Sequence, residues 1–210
     1  MINLRSSSAW KFISLIFLLA INLVWLQGCG NKNLAQDSCN FIQNSEGQRV
    51  SWGGDSTVNF YVDASVPTTY LPVIQRAADT WNTTIGHQQI VVAGWTNKAG
   101  IQAQDGMNVI YWKTDWDANQ PSEQARTTIY WSSNRMNEAD IMINAKNFKF
   151  SIDTPAPGEV DLQSLLVHEF GHALGLKHTT ATSVMVKTLD YDVLRRAPQP
   201  FDVASIRCEY

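Results

Sequence analysis

The residues able to do chemistry are concentrated in one run of eleven, His168-Glu169-Phe170-Gly171-His172-Ala173-Leu174-Gly175-Leu176-Lys177-His178, which holds three of the chain's four histidines. On a helix His168 and His172 are i and i+4, so both imidazoles leave the same face and can share a metal ion. Gly175 permits a positive φ, and a sharp turn there lets His178 return to the same ion as a third nitrogen ligand. Three neutral imidazoles and an open fourth position describe a catalytic zinc, whose bound water has its pKa lowered to about 7. Glu169, next to the first ligand, is placed to take that water's proton. Satisfied core histidines would account for one such residue but not for three at these offsets. A closed structural zinc would need a fourth protein ligand, and no cysteine or spare histidine lies suitably near in sequence.

The elements that must position this run are legible in outline. Val58 to Val62 reads as a strand, and Pro67 opens a helical pattern through Leu71, Ile74, Ala77, Ala78, Trp81 and Ile85 that Gly86 ends. Residues 90–93, 108–112, 127–131 and 140–144 read as further strands, separated by polar loops containing Gly or Pro. Asp161 is the expected N-cap of a second long helix, through Leu162, Leu165, Leu166, Phe170 and Ala173 to Gly175, which carries the histidines. A short third helix is expected from Pro200 through Val203 and Ile206 towards the C-terminus. The fold class is therefore α+β, a twisted mixed five-stranded sheet with two long helices and a short terminal one. The pairs Tyr111-Trp112 and Tyr130-Trp131 are assigned to core and sheet packing rather than to a carbohydrate platform.

Beyond the zinc motif, Ser183-Val184-Met185 resembles the Met-turn of the metzincin metallopeptidases, and within that group the chain is most similar to bacterial matrixin-like peptidases. Residues 138–144 and 201–206 are similar to segments of matrixin catalytic domains, and the resemblance covers about residues 57 to 210. It implies a zinc cleft, a zinc endopeptidase acting on a protein or peptide substrate, and a Met185 that underlies the metal without binding it. From the residues alone, Met185 reads as an ordinary core methionine. The chain departs from the family in several places. Only some 28 residues separate Cys29 from the first strand, too few for the matrixin pro-segment with its cysteine switch, so latency is expected to be absent. The second, structural zinc of matrixins needs more histidines than His87, so one zinc is expected. Val186-Lys187 replaces the Tyr-Pro pair that follows the family's Met-turn in the wall of the specificity pocket. Asp115, Asp117 and Asn119 leave calcium open, but the spacing lacks the Gly and terminal Glu of an EF-hand, and a solvated loop is the preferred reading.

The N-terminus is a separate matter. Residues 1–28 carry Arg5 and Lys11 and no acid, then an apolar stretch from Phe12 to Leu26 interrupted only by Ser14 and Asn22, a secretory signal. Leu26-Gln27-Gly28-Cys29 resembles the bacterial lipoprotein box, with Cys29 as the lipidated residue; an ordinary cleaved signal and an uncleaved anchor are the alternatives. Gly30, which is not an Asp of the inner-membrane-retention type, leans by resemblance towards the outer membrane or cell surface. Residues 29–56 then form a lipidated tether and lead-in, with 31–54 rich in Asn, Gln, Ser and Gly and expected to be loosely ordered, and the catalytic domain spans 57–210. In an exported protein Cys39 and Cys208 are expected to form a disulfide; the competing reading has Cys39 capping the zinc as a thiolate.

Composition excludes other classes. The 210 residues are 44% hydrophobic and 17% charged, an ordinary globular balance. Sixteen Lys and Arg against nineteen Asp and Glu give a net charge of -3 with no basic stripe, so nucleic acid is not an expected partner. A monomer is expected, touching the membrane through its lipid alone. A substrate peptide is expected to add as a strand to an edge around Ile141 to Asn144. Two further readings remain: a surface lipoprotein binding a protein partner on a metzincin scaffold without cutting it, and hydrolysis of a non-peptide amide. A complete ligand set and Glu169 are features a binding module has no need of.

Overall fold

The computed structural model describes residues 39–54 and 56–210. The signal stretch, Cys29 and the tether as far as residue 38 lie outside the described residues. Strand β1 (Val58–Asp63) alternates buried Val58, Phe60 and Val62 with more exposed Asn59 and Tyr61. After a 3-10 turn over Thr68–Tyr70, helix α1 (Leu71–Ile85) buries Val73, Ile74, Ala77, Ala78 and Trp81, a stripe at helical spacing. Gly86 ends it in the left-handed region at φ 98°, where a side chain would be strained. Strands β2 (Ile90–Thr96), β3 (Asn108–Lys113), β4 (Ala125–Ser132) and β5 (Arg135–Asn144) complete the sheet. A two-stranded parallel pair, β6 (Phe150–Ser151) and β7 (Val160–Asp161), precedes α2 (Leu162–Ala173), and α3 (Pro200–Ile206) closes the fold. No described helix is long and apolar enough to cross a membrane.

The sheet order is β2-β1-β3-β5-β4. The β1–β2, β1–β3 and β3–β5 pairs are parallel and β4–β5 is antiparallel, so the sheet is mixed, as the sequence implied. The expected docking edge is a different strand, however. Ile141 to Asn144 pair with β3 on one side, and β5 pairs with β4 on the other, so β5 is interior and β4 is the edge. Alternating apolar residues mark a strand but not its neighbours, which pairing across 31 residues of intervening chain decides here. The aromatic pairs also divide: Tyr111 is buried and Trp112 packs on Tyr70 and Phe150, whereas Trp131 on the edge strand is 44% exposed.

The core lies between sheet and helices. Phe60 of β1 meets Phe170 of α2 edge to face at 5.2 Å, and the Trp81 indole of α1 donates to the Val167 carbonyl of α2 at 2.8 Å. Residues 39–54, expected to be loosely ordered, instead form a strap packed on the fold. Phe41 and Val50 are fully buried, worth about 1.5–3 kcal/mol each in apolar burial. Their polar neighbours misled the composition argument because they serve the backbone: Asn44 accepts from the main-chain N–H groups of Glu46 and Gln48 and folds the strap into a hairpin.

Cys39 at the head of this strap is bonded to Cys208 beyond α3, across a sequence separation of 169, with the Cα atoms 6.2 Å apart. That overturns the reading in which Cys39 caps the metal. Because the bond closes a loop of most of the domain, reducing it, or replacing Cys208 by Ser, lowers stability by about 2–4 kcal/mol. Urea unfolding with and without reductant measures this, and coincident curves would contradict it.

Candidate active site

Helix α2 starts where Asp161 says it should. The Asp161 carboxylate accepts from Ser164 N at 2.9 Å and Ser164 Oγ at 2.6 Å, capping two donors of the first turn. Burial alone would raise its pKa, but Arg196, whose guanidinium grips both carboxylate oxygens, and Ser164 outweigh that and hold it below the usual carboxylate value. The helix then runs through the core with Leu162, Leu165, Leu166, Val167 and Phe170 buried.

The three motif histidines converge. Their Nε2 atoms stand 3.0 Å (His168–His172), 3.0 Å (His172–His178) and 3.2 Å (His168–His178) apart. Two nitrogens bound to one zinc at about 2.0–2.1 Å with tetrahedral angles lie roughly 3.3 Å apart, so the spacing fits a single ion. The other ring nitrogens fix the tautomers. His168 Nδ1 donates to the Val184 carbonyl and His172 Nδ1 to the Leu176 carbonyl, each at 2.8 Å, which leaves both Nε2 lone pairs facing the centre. Burial pushes the pKa of His168 and His172 down to about 4, and burial with Lys187 lowers that of His178, so all three are neutral, as metal ligands must be. Among the described residues this is the one group of three or more His, Cys, Asp or Glu whose donor atoms gather closely enough for a metal. Asp115 pairs with Lys113, Asp117 accepts from Asn119 N, and His87 bonds Gln89.

His178 reaches the centre because the chain turns at Gly175, whose φ is 103°. A Cβ there would also come within 2.5 Å of the Val50 carbonyl, so glycine is required twice. The strap holds the turn from outside. Ile42 N donates to Gly175 O at 2.8 Å, Lys177 N donates to Asn40 O at 2.9 Å, and the Asn40 amide returns a bond to Lys177 O. The Trp52 indole caps Ala173 O and the Tyr210 hydroxyl caps Leu174 O, satisfying carbonyls that the helix end leaves open.

Residues 183–185 support the site from the other side. Asp202 of α3 accepts from the Ser183 hydroxyl and from Val184 N at 2.9 Å, holding in place the same Val184 whose carbonyl orients His168. Met185 is fully buried, and a Cβ on Gly171 would overlap its sulfur, so that glycine lets the methionine lie directly against the helix between the two ligands. Glu169 is nearly buried, with its pKa raised by that burial against the opposing pull of His172 and Thr127. The Thr127 hydroxyl lies 2.6 Å from its Oε2. The cleft in front has a volume of about 730 Å³ and is lined by His168, Glu169, His178, Thr127, Lys187 and Leu189 among others, so Lys187 does stand in the wall that follows the Met-turn. The family model of the matrixins matches residues 69–210, well over half of the chain.

The chain belongs to the matrixin family. Matrixins are zinc metallopeptidases, and the family gives this chain a protein or peptide substrate and one catalytic zinc for which the histidine cluster is suited. No curated protein matches the chain. The supports of this matrixin site were invisible in the sequence. Asn40, Trp52, Asp202 and Tyr210 act through a few hydrogen bonds each between segments far apart in sequence, and Thr127 read only as a strand residue.

The lowered histidine pKa values set a pH dependence for the metal-free protein. In the unfolded chain these imidazoles protonate near 6.5, in the folded chain near 4, so acid favours unfolding. The contribution of these two histidines to the stability of the metal-free protein is therefore flat above pH about 6.5 and is lost progressively between about 6.5 and 4, against an opposite contribution from Asp140, whose carboxyl pKa burial raises to about 7. Urea midpoints of the wild type and of a His168→Gln, His172→Gln double variant across this range, in the presence of chelator, test it, and an equal acid-side change in both would contradict it.

Proposed function

We propose that the protein is an endopeptidase in which His168, His172 and His178 hold the zinc and Glu169 is the general base. The observation that carries this reading is the gathering of three neutral Nε2 atoms within 3.2 Å of one another in a cleft that also holds the Glu169 carboxylate. A zinc ion bound there supplies Lewis acidity and a water of lowered pKa. The protein's own residues do the rest. The free side of β4 offers main-chain groups on which an extended substrate pairs, in register with the cleft that Arg126, Thr127 and Ile129 line. Glu169 takes the proton of the attacking water and passes it to the departing nitrogen, and its raised pKa suits both halves of that transfer. The backbone carbonyls of Val184 and Leu176 keep the ligand imidazoles aimed throughout.

The test is cleavage of a quenched, mixed-sequence peptide library by a soluble form beginning at Gly30. Chelation abolishes turnover, and Glu169→Ala lowers it by about 10²- to 10⁴-fold while one zinc is retained. Ready cleavage by a pure Glu169→Ala preparation would refute the assignment, and a zinc-loaded wild type that cuts nothing would point to the binding-module reading.

We also propose, from the signal-like residues 1–28 and the box Leu26-Gln27-Gly28-Cys29, that the enzyme lies outside the cytoplasm, attached to the bacterial envelope through a lipid on Cys29. A palmitate analogue then labels the full-length protein, and Cys29→Ala abolishes the label; a label that survives the substitution would remove the anchor.

A further inference from the structure

The reading of Glu169 as the base leaves open what aims its carboxylate, and the geometry points to a residue on another element. The terminal torsion of a glutamate is broad, so burial by itself does not select which oxygen faces a bound water. In this structure the Thr127 hydroxyl lies 2.6 Å from Glu169 Oε2 and 3.2 Å from the Glu169 main-chain carbonyl. A hydroxyl has one proton, and the shorter distance, typical of a hydroxyl donating to a carboxylate, assigns it to Oε2. No other side-chain hydrogen bond to the carboxylate is formed among the described residues. Oε2 thus has one acceptor site engaged, and Oε1, which accepts no side-chain hydrogen bond among the described residues, is the freer acceptor.

Thr127 is also on β4, at the edge of the sheet, where it pairs with the fully buried Ile141 of β5. Its backbone position is therefore fixed by the ladder, and its χ1 is restricted by β-branching. We infer that Thr127 is a positioning residue: its hydroxyl anchors Oε2 of Glu169, presents Oε1 to the water, and ties the orientation of the base to the strand on which the substrate lies. The consequence is that the substrate's register and the base's orientation are set by one strand rather than by two independent elements. A residue acting in this way changes turnover without changing binding, because the substrate's main chain pairs with β4 whatever side chain stands at 127. The inference rests on the peptidase reading given above.

Thr127→Val removes the hydroxyl while keeping shape and strand preference, and Thr127→Ser keeps the hydroxyl while removing the methyl. Steady-state kinetics on a peptide cut by the wild type, with zinc content and thermal midpoint measured on each variant, decide the matter. Thr127→Val should lose roughly ten- to a hundredfold in kcat, with KM, zinc content and thermal midpoint close to wild type. Thr127→Ser should recover most of the lost rate, and Thr127→Val should cost nothing further in a Glu169→Ala background, because the group it aims is gone. An unchanged kcat in Thr127→Val, equal damage from Ser and Val, or a loss that tracks zinc or thermal stability overturns this inference alone. A wild type that cuts no peptide, or a Glu169→Ala variant that cuts as well as wild type, overturns the peptidase reading and this inference with it.

Discussion

Three imidazole Nε2 atoms are turned towards one point and lie within 3.2 Å of one another, and the rest of the structure is arranged around holding them there. What prevents the rings from rotating away is the hydrogen bond at the opposite nitrogen. For two of the three, that bond is made to a backbone carbonyl, and each carbonyl belongs to a segment fastened by something else. Val184 is held by Asp202 of α3, and the turn containing Leu176 is held by the strap at residues 39–54. The site is thus a helix face clamped from two sides by elements from opposite ends of the fold. The disulfide between Cys39 and Cys208 joins those two clamps to each other.

This division explains what the sequence could reveal. The zinc motif is local: i and i+4 on one helix, and a glycine where the chain must turn, are consequences of helical geometry that a string of letters carries. The N-cap at Asp161, the glycine ends of the helices and the existence of the five main strands are local in the same sense, although β5 begins at Arg135, five residues before the pattern placed it. The disulfide was readable for a different reason: with Cys29 set aside as the expected lipidation site, Cys39 and Cys208 are the one pair of cysteines left.

What was not legible depended on contacts far apart in sequence. Composition makes residues 39–54 look like a linker, since its two fully buried apolar side chains, Phe41 and Val50, are outnumbered by polar ones. The segment's main contribution is through main-chain groups, which every residue type possesses and no pattern advertises. The order of strands was equally hidden. Ile141 to Asn144 look like any strand, and only the antiparallel return of β4 makes them interior and moves the free edge, with Thr127 on it, beside Glu169. Asp202 lay unremarked within the stretch 201–206; its Oδ2 accepts from Gln199 N at the start of α3 and from Val184 N, while its Oδ1 accepts from the Ser183 hydroxyl, so one carboxylate caps the helix and secures the turn at 183–185.

The strap has a kinetic side as well. Helix α2 can form from near neighbours, but the support of its third histidine requires residues 40–42 to meet residues 175–177, and the support of its first requires α3. Contacts of such long range close large loops and cost chain entropy that the local contacts of a helix do not, so the supports of the ligands are the more expensive part of the site to assemble. Partly folded chains, with the motif helix present and its clamps unmade, then hold at most a two-histidine face, too few donors for a tight zinc site. Metal capture is in this way coupled to completion of the whole topology, so that the ligand set and the scaffold that aims it are finished together.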